Sequence, residues 1–204
     1  MEVLILSKTH FGNSVCVGGV VLKSKQYVRL LNPGGWYQYA DTKFNIGDVW
    51  DIEFKVSDNI VEPHNEDVII RSQTYVRSIT DLSQYIVNSG LSIWRGPVTE
   101  IFDSKLIWAS TGAGYLSENK PDYPKHSVGF WISDRLLTYD GQEHYIYRMR
   151  VRPFERKLKY KGIPDAIDTI PANTLLRVSL PKWWKHPDSD VEKRCYVQLS
   201  GWYD

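Results

Sequence analysis

The sequence lacks long apolar segments. Its longest apolar run, Val15 to Leu22, has eight residues and includes two glycines. A helix that crosses a bilayer needs about 20 apolar residues, so we expect no transmembrane helix and no membrane partner. The first residues carry no basic segment of the kind that opens a secretory signal and lead directly into an apolar strand pattern. We therefore expect a cytoplasmic protein.

Cysteine is also scarce, with two residues in 204. Two thiols cannot form a disulfide framework, and alone they cannot complete a four-ligand zinc site. The five histidines show no close metal-ligand spacing. We therefore expect reduced thiols, no metal and no cofactor.

Helix signals are rare, and short strand patterns take their place. Residues 14–31 resemble a hairpin, with two glycines inside its first strand that indicate a bulge or a sharp coil. Residues 49–56 alternate between two sets of side chains: Val49, Asp51, Glu53 and Lys55 on one side, and four apolar side chains that end at Val56 on the other. This alternation predicts a strand with one solvent-exposed face and one buried face.

The remaining pattern is also mostly strand. One helix is predicted over Asp81 to Ser89, and residues 110–124 are expected to form a long irregular loop. The candidate strands of the second half are 104–109, 127–132, 142–152, 175–180 and 194–199. Short strands with regular turns predict an all-β fold of small barrels, and periodicity alone leaves an OB-fold and an SH3-like barrel open.

An ordered set of motifs favours one of these folds. Near the amino terminus are Leu4-Ile5-Leu6-Ser7-Lys8-Thr9, Val15-Cys16-Val17-Gly18-Gly19, Tyr27-Val28-Arg29-Leu30-Leu31 and Ile46-Gly47-Asp48-Val49-Trp50; near the carboxyl terminus are Arg177-Val178-Ser179-Leu180 and Cys195-Tyr196-Val197-Gln198-Leu199-Ser200-Gly201-Trp202-Tyr203. The set resembles the bacterial dual OB-containing domain family. A histidine, His10, stands where that family more often has arginine, which would weaken a phosphate contact at neutral pH.

The resemblance implies two tandem OB-like five-stranded Greek-key barrels, residues 1–90 and 91–204, packed as one unit with few short helices. It also implies nucleic-acid binding, often within bacterial defence systems. It supplies no catalytic residues.

Charge is balanced overall but not along the chain. Residues 1–140 carry 13 Lys and Arg against 16 Asp and Glu, whereas residues 141–204 carry 12 against 8. Most of the excess lies in the segment 146–163. There Arg148, Arg150 and Arg152 recur at every second residue, so one strand face would hold three guanidinium groups about 6.6–7 Å apart, a spacing that suits the phosphates of a single strand. The alternative is a solvated face whose arginines pair with acids such as Asp134 or Asp140.

The 27 aromatic residues divide into core and surface candidates. Trp50 and Trp131 are expected in the two barrel cores. Side chains of adjacent strand residues point to opposite faces, so one of Trp183 and Trp184 should face solvent, unless this segment covers a barrel mouth. Trp36 lies in a loop with two tyrosines, where it would either stack on bases or fold back over a barrel end.

Enzyme signatures are weak. Glu53 and Lys55, with Asp41 or Asp48 upstream, match the D…ExK order of metal-dependent nucleases, but strand alternation explains the same residues as exposed positions. Cys16 lies in a valine-rich run, which favours a buried structural thiol over a nucleophile.

These patterns predict a non-catalytic nucleic-acid-binding module that favours single strands. The predicted contacts are Arg148, Arg150, Arg152, Lys157, Lys159, Trp184 and Trp36. A protein–protein adaptor that uses exposed aromatic loops is the alternative, and a metal-dependent nuclease is a third reading.

Overall fold

The structure, a computed structural model, describes residues 1–149, 155–188 and 190–203. The chain divides into two compact units, Met1–Leu91 and Ser92–Asp204. Both consist mainly of β-strands, which confirms the all-β prediction. No helix in the described part of the chain is long and apolar enough to cross a membrane.

The first unit is a closed five-stranded barrel. Its elements are β1 (Glu2–Phe11), β2 (Ser14–Val21), β3 (Tyr27–Leu31), β4 (Gln38–Tyr39), β5 (Asp48–Val56), β6 (Asp67–Ser78) and α1 (Leu82–Asn88). The pairing runs from β1 to β2, β3, β6 and β5, and β5 pairs again with β1. The β3–β6 pair is parallel and the other four pairs are antiparallel. The short strand β4 adds to the edge of β2.

Strand β1 bends where the glycines of β2 face it. The register of the pair slips between Ile5 and Ser7, opposite Gly19 and Gly18, so the predicted bulge is confirmed and lies on the partner strand. A Cβ at Gly19 would come within 2.7 Å of the Leu4 carbonyl oxygen. Glycine therefore allows the close backbone approach that closes a small barrel.

The alternation predicted for β5 holds in its middle and fails at its ends. Trp50 and Ile52 are buried and Asp51 is exposed, but Val49 is also buried and Val56 is exposed, contrary to prediction. In both register slips of the β5–β6 pair the extra residue lies on β6, Val76 in one and Arg71 in the other. Burying one aliphatic side chain such as that of Ile52 stabilises the fold by about 1.5–3 kcal/mol.

The second unit contains more elements than sequence patterns predict. They are β7 (Ile93–Gly96), a 3-10 helix (Val98–Ser104), β8 (Ile107–Trp108), β9 (Gly114–Ser117), β10 (Val128–Ser133), β11 (Leu137–Tyr139), β12 (His144–Arg148), β13 (Glu155–Tyr160), β14 (Thr169–Ile170), β15 (Leu175–Ser179), β16 (Arg194–Tyr196) and β17 (Gln198–Tyr203). The larger sheet has the order β14-β11-β12-β13-β17-β15-β10-β7, and β16-β9-β8 form a smaller sheet.

The larger sheet repeats the strand order of the first unit. Strands β10 and β11, separated by residues 134–136, together take the place of β1: β10 pairs with β15 and β11 pairs with β12. Strands β12, β13, β15 and β17 then correspond to β2, β3, β5 and β6, and the parallel pair β13–β17 matches β3–β6. The fold class predicted from the sequence is confirmed.

Two sequence predictions in this unit are wrong. The strand expected over residues 104–109 shrinks to the two residues of β8, because Phe102, Asp103 and Ser104 adopt the left-handed conformation, which no strand accommodates. The irregular loop expected over 110–124 contains β9. Gly114 pairs there with Trp108, and a Cβ at Gly114 would come within 2.8 Å of the indole ring.

Each unit has its own hydrophobic core. Trp50 lies in the first, with its ring 5.0 Å from that of Phe44. Trp131 is fully buried in the second, and its indole N–H donates to the Gly96 carbonyl oxygen at 2.9 Å. Both tryptophans therefore take the core positions that were predicted.

Candidate functional site

The basic tract forms the antiparallel hairpin β12–β13. Arg148 lies opposite Glu155, and His144 lies opposite Lys159. Directly opposed residues share one face of a sheet, so these charged side chains lie on the outer face. Tyr147 and Leu158, by contrast, are buried in the core. The predicted alternation of β12 therefore holds at its ends, but Ile146, on the same side as His144 and Arg148, is buried as well.

Two cations of this face are already paired with acids. The Arg148 guanidinium, 67% exposed, has its Nε 3.3 Å from Oε1 of Glu155. The Lys159 ammonium lies 2.7 Å from Oε2 of Glu143 and lowers the pKa of that carboxyl through their hydrogen bond. Exposed pairs of this kind contribute about 0–1 kcal/mol, so a phosphate can compete for either cation.

The acids named beforehand as alternative partners are engaged elsewhere. Asp134 accepts a hydrogen bond from the Tyr147 hydroxyl at 2.7 Å. Asp140 accepts backbone N–H bonds from residues 142, 143 and 144 in the turn between β11 and β12. The alternative, in which the arginines pair with acids, therefore applies to Arg148, but its partner is Glu155 and neither Asp134 nor Asp140.

Lys157 differs from its neighbours. Its backbone N–H donates to the Gly112 carbonyl oxygen at 2.9 Å, which ties β13 to the segment before β9. Among the described residues, no carboxylate lies within ion-pair distance of its ammonium. Lys157 is therefore available for an anionic ligand.

The predicted row of arginines lies only partly within the described residues. Arg150 and Arg152 lie outside the described residues. Arg156 is described, and its Cζ lies 5.0 Å from the centre of the Trp108 ring. Sequence patterns did not single out Trp108, because the two residues are 48 positions apart and belong to different sheets.

The loop between β15 and β16 carries the adjacent tryptophans. Trp183 packs against the core, with its ring 5.3 Å from that of Tyr123. Trp184 is 55% exposed and has the His186 ring edge-on at 5.9 Å. The prediction that one of the two faces solvent is confirmed, and the exposed one is Trp184.

This loop connects through β9 to the basic hairpin. Trp184 exchanges two backbone hydrogen bonds with Arg194, at 3.1 and 2.8 Å. Arg194 belongs to β16, which pairs with β9, and the segment before β9 bridges to Lys157. A hydrogen-bonded path within the second unit therefore joins Trp184 to Lys157.

Trp36 lies in the first unit, whereas the other six predicted contacts lie in the second. Trp36 is 74% exposed and Tyr39 is 70% exposed. Tyr37 folds back, with its ring 4.0 Å from that of Phe11, and burial raises the pKa of Tyr37 to about 12. Tyr37 therefore folds back, whereas Trp36 and Tyr39 are exposed.

The outer face of β2–β3 in the first unit is closed. Arg29 is buried there, and its guanidinium lies 2.9 Å from the carboxylate of Asp67, which is also buried. Burial by itself would lower the pKa of Arg29, but the neighbouring acidic groups raise this pKa above its ordinary value. Val20 and Tyr27, also on these strands, are buried too. The equivalent strands of the two units therefore present different surfaces.

The D…ExK residues have partners of their own. The Asp48 carboxylate accepts a hydrogen bond from the Ser78 hydroxyl at 2.6 Å, and Glu53 lies 3.6 Å from Arg71. The Lys55 ammonium lies 3.3 Å from the carboxylate of Asp58. In the described part of the chain, no three His, Cys, Asp or Glu side chains are grouped so that they could hold a metal ion.

The two cysteines are free thiols in strands. Cys195 is fully buried in the second core, and burial raises its pKa to about 12. Cys16 is half-buried on β2. The buried thiol predicted at Cys16 is thus only partly confirmed, whereas Cys195 is fully buried.

Comparison with known proteins places nearly all of the sequence in one family model. The model is described as Dual OB-containing domain, and it matches residues 1–202. Neither the curated proteins nor the solved structures contain a match to the chain.

Proposed function

The chain belongs to the dual OB-containing domain family, and from this membership we propose that it is a non-catalytic nucleic-acid-binding module that favours single strands. OB-folds bind oligonucleotides and oligosaccharides on the face of their second and third strands and with the loops that follow strands one and four. The proposal assigns this role to the second unit.

The observation that carries the proposal is the cationic outer face of β12–β13. These are the second and third barrel strands of the second unit, and they hold Arg148, Lys157 and Lys159. The loop after the fourth barrel strand, β15, carries the exposed Trp184. Cations that follow a backbone, together with aromatic rings that accept bases, are the two components of single-strand binding sites.

The first unit does not offer the same combination. Its second and third strands carry the buried pair of Arg29 and Asp67. A buried ion pair leaves no free cation for a phosphate, and separating it would leave an uncompensated charge. We therefore assign the phosphate contacts to Arg148, Arg150, Arg152, Lys157 and Lys159, and Trp36 would act as a separate stacking residue. A place in a bacterial defence system is proposed on the family resemblance alone.

Three substitutions test the phosphate contacts with fluorescently labelled single-stranded DNA and RNA of about 20–30 nucleotides, a length that exceeds the site of one OB-fold. Lys157→Ala should weaken binding roughly 3- to 10-fold at low salt, because one phosphate contact is lost. Glu155→Gln should strengthen it roughly 2- to 5-fold, because Arg148 is released from its pair. Lys23→Ala, at an exposed lysine of the β2–β3 turn, is the matched control and should leave the affinity unchanged.

The proposal fails if wild-type protein binds neither DNA nor RNA at low salt. It also fails if Lys23→Ala weakens binding as much as Lys157→Ala does, because the attraction would then not be local to the hairpin.

A protein–protein adaptor is the second candidate function. The observation that favours it is the group of exposed rings in the first unit, Phe11, Trp36 and Tyr39. Exposed aromatic groups of this kind mark interaction surfaces. In that case Trp36→Ala would weaken binding of a protein partner, while nucleic-acid binding would be weak and insensitive to Lys157→Ala.

The nuclease reading is the third. It requires Mg²⁺-dependent cleavage that Glu53→Ala abolishes. Incubation of labelled DNA and RNA with Mg²⁺ and either the wild-type or the Glu53→Ala protein tests this reading directly. Intact substrate after long incubation with the wild-type protein would dismiss it.

A further inference from the structure

The small sheet of the second unit has an outward face made of rings and one guanidinium. Tyr196 lies opposite Tyr115 in the β16–β9 pair, and Arg194 lies opposite Ser117. Trp184 lies opposite Arg194 on the other edge of β16. Opposed residues share a face, so Trp184, Arg194, Tyr196 and Tyr115 point to the same side of this sheet.

The guanidinium of Arg194 is held in one orientation. Its Cζ lies 4.0 Å from the centre of the Tyr115 ring, and its Nε donates to Oε1 of Glu192 at 3.0 Å. The Ser117 hydroxyl donates to the same carboxylate oxygen, also at 3.0 Å. Although burial works to lower it, the hydrogen bond to Glu192 raises the pKa of Arg194 above its ordinary value. Because these contacts are made within the protein, no ligand has to order this side chain.

Trp184 is also fixed, although its ring is exposed. Two backbone hydrogen bonds to Arg194 hold its main chain, and the neighbouring Trp183 is anchored at the core. Among the described residues, the one ring that contacts the Trp184 ring is that of His186, which meets it edge-on. A large ring that is exposed on a fixed backbone does not contribute to the core and can accept another planar group at little entropic cost.

The charge around this face argues against a phosphate as its main ligand. The segment 181–197 contains four Lys and Arg residues against three Asp and Glu residues. The Arg194 guanidinium is already neutralised by Glu192. What the surface offers is therefore the ring of an exposed indole beside a guanidinium that packs on Tyr115 and is 21% exposed, and not an excess of positive charge.

We propose that Trp184 and Arg194 form a preformed platform on which one unstacked base of the nucleic acid stacks, and that this platform is the source of the preference for single strands. The inference rests on the proposed nucleic-acid binding and deepens it by dividing the site. The β12–β13 hairpin attracts phosphates whatever the strand state, whereas the platform requires a base that has left its helical stack. Tyr115, Glu192 and Ser117 act as positioning residues that hold Arg194.

Two ligands of equal charge test whether the hairpin binds phosphates and the platform binds a base. They are an oligothymidylate of about 12 nucleotides and an abasic oligonucleotide of the same length, which is within the site size of one OB-fold. Wild-type protein should bind the thymidylate more tightly than the abasic strand. Trp184→Ala should weaken thymidylate binding roughly 5- to 150-fold, the range measured for loss of one stacking ring, and leave abasic binding unchanged. Trp184→Phe should retain part of the difference.

Lys157→Ala and Arg194→Lys complete the experiment. Lys157→Ala should weaken binding of both ligands by the same factor, because it removes a phosphate contact. Arg194→Lys keeps the charge but removes the planar group, so it should weaken thymidylate binding alone. Circular dichroism of each variant establishes that the fold is intact.

The outcomes separate the two proposals. If wild-type protein binds neither ligand, the proposed function itself is overturned. If it binds both, but Trp184→Ala weakens both equally or neither, nucleic-acid binding stands and the stacking platform is overturned.

Discussion

Trp183 and Trp184 are neighbours in the chain, yet one lies against the core and the other in solvent. This difference could be predicted, because alternation is a local property of extended backbone. The contacts of Arg194 could not be predicted. Its ring partner Tyr115 is 79 positions away, and the two meet only because β16 pairs with β9. The residue-level signal therefore predicted that one of the two tryptophans is exposed, but not which side chains lie beside Arg194.

The turn before the basic hairpin depends on one carboxylate. Asp140 accepts three backbone N–H bonds and contacts the His144 ring. Although its partial burial works in the opposite direction, these backbone bonds lower the pKa of Asp140 to about 2, below its ordinary value of 3.8. A carboxyl with a lowered folded-state pKa stabilises the fold above its unfolded pKa and loses that effect as pH falls through the folded value.

We therefore expect Asp140→Ala to lower the free energy of unfolding at pH 7 by about 1–2 kcal/mol. The difference from wild type should shrink as pH falls from about 4 towards 2, as linkage requires. Denaturant unfolding at several pH values measures it, with Asp165→Ala as an exposed control. A difference that does not change with pH would show that the carboxylate charge does not hold this turn.

At the scale of elements, the sequence pattern predicted the longer strands, whereas it did not predict short strands such as β9. The β2–β3 hairpin, β5 and α1 all lie where the sequence pattern predicts them. Strand β9 was not predicted because Gly112 lies just before it and Gly114 is its first residue, and glycine usually indicates a loop. At Gly114, and again at Gly129, glycine instead makes room for a tryptophan ring from the neighbouring strand. One sequence carries no information about such a close approach.

Gly129 provides a test of this explanation. A Cβ at this position would come within 2.2 Å of the Trp94 ring, which belongs to β7. Gly129→Ala should therefore lower the free energy of unfolding by about 1–3 kcal/mol, the usual cost of overpacking. The same substitution in a Trp94→Ala background should cost much less, because the clashing ring is gone. Equal costs in both backgrounds would contradict the explanation.

At the scale of the whole molecule, a formal net charge of +1 conceals an uneven distribution. The basic segment is visible in the sequence, and the structure places its Arg148, Lys157 and Lys159 on one face of the β12–β13 hairpin. The sequence did not reveal that the same face of the first unit is closed by a buried ion pair. That difference depends on Arg29 and Asp67, which are 38 positions apart and meet only in the folded barrel.

The salt dependence of binding tests the central claim most directly. If the hairpin cations neutralise phosphates, the logarithm of the association constant for a single strand should fall linearly with the logarithm of salt concentration. The slope should be about −0.7 for each phosphate neutralised, so at most about −3.5 for the five proposed cations, and Lys157→Ala should reduce its magnitude by about 0.7. A slope near zero, or one that Lys157→Ala leaves unchanged, would contradict the account.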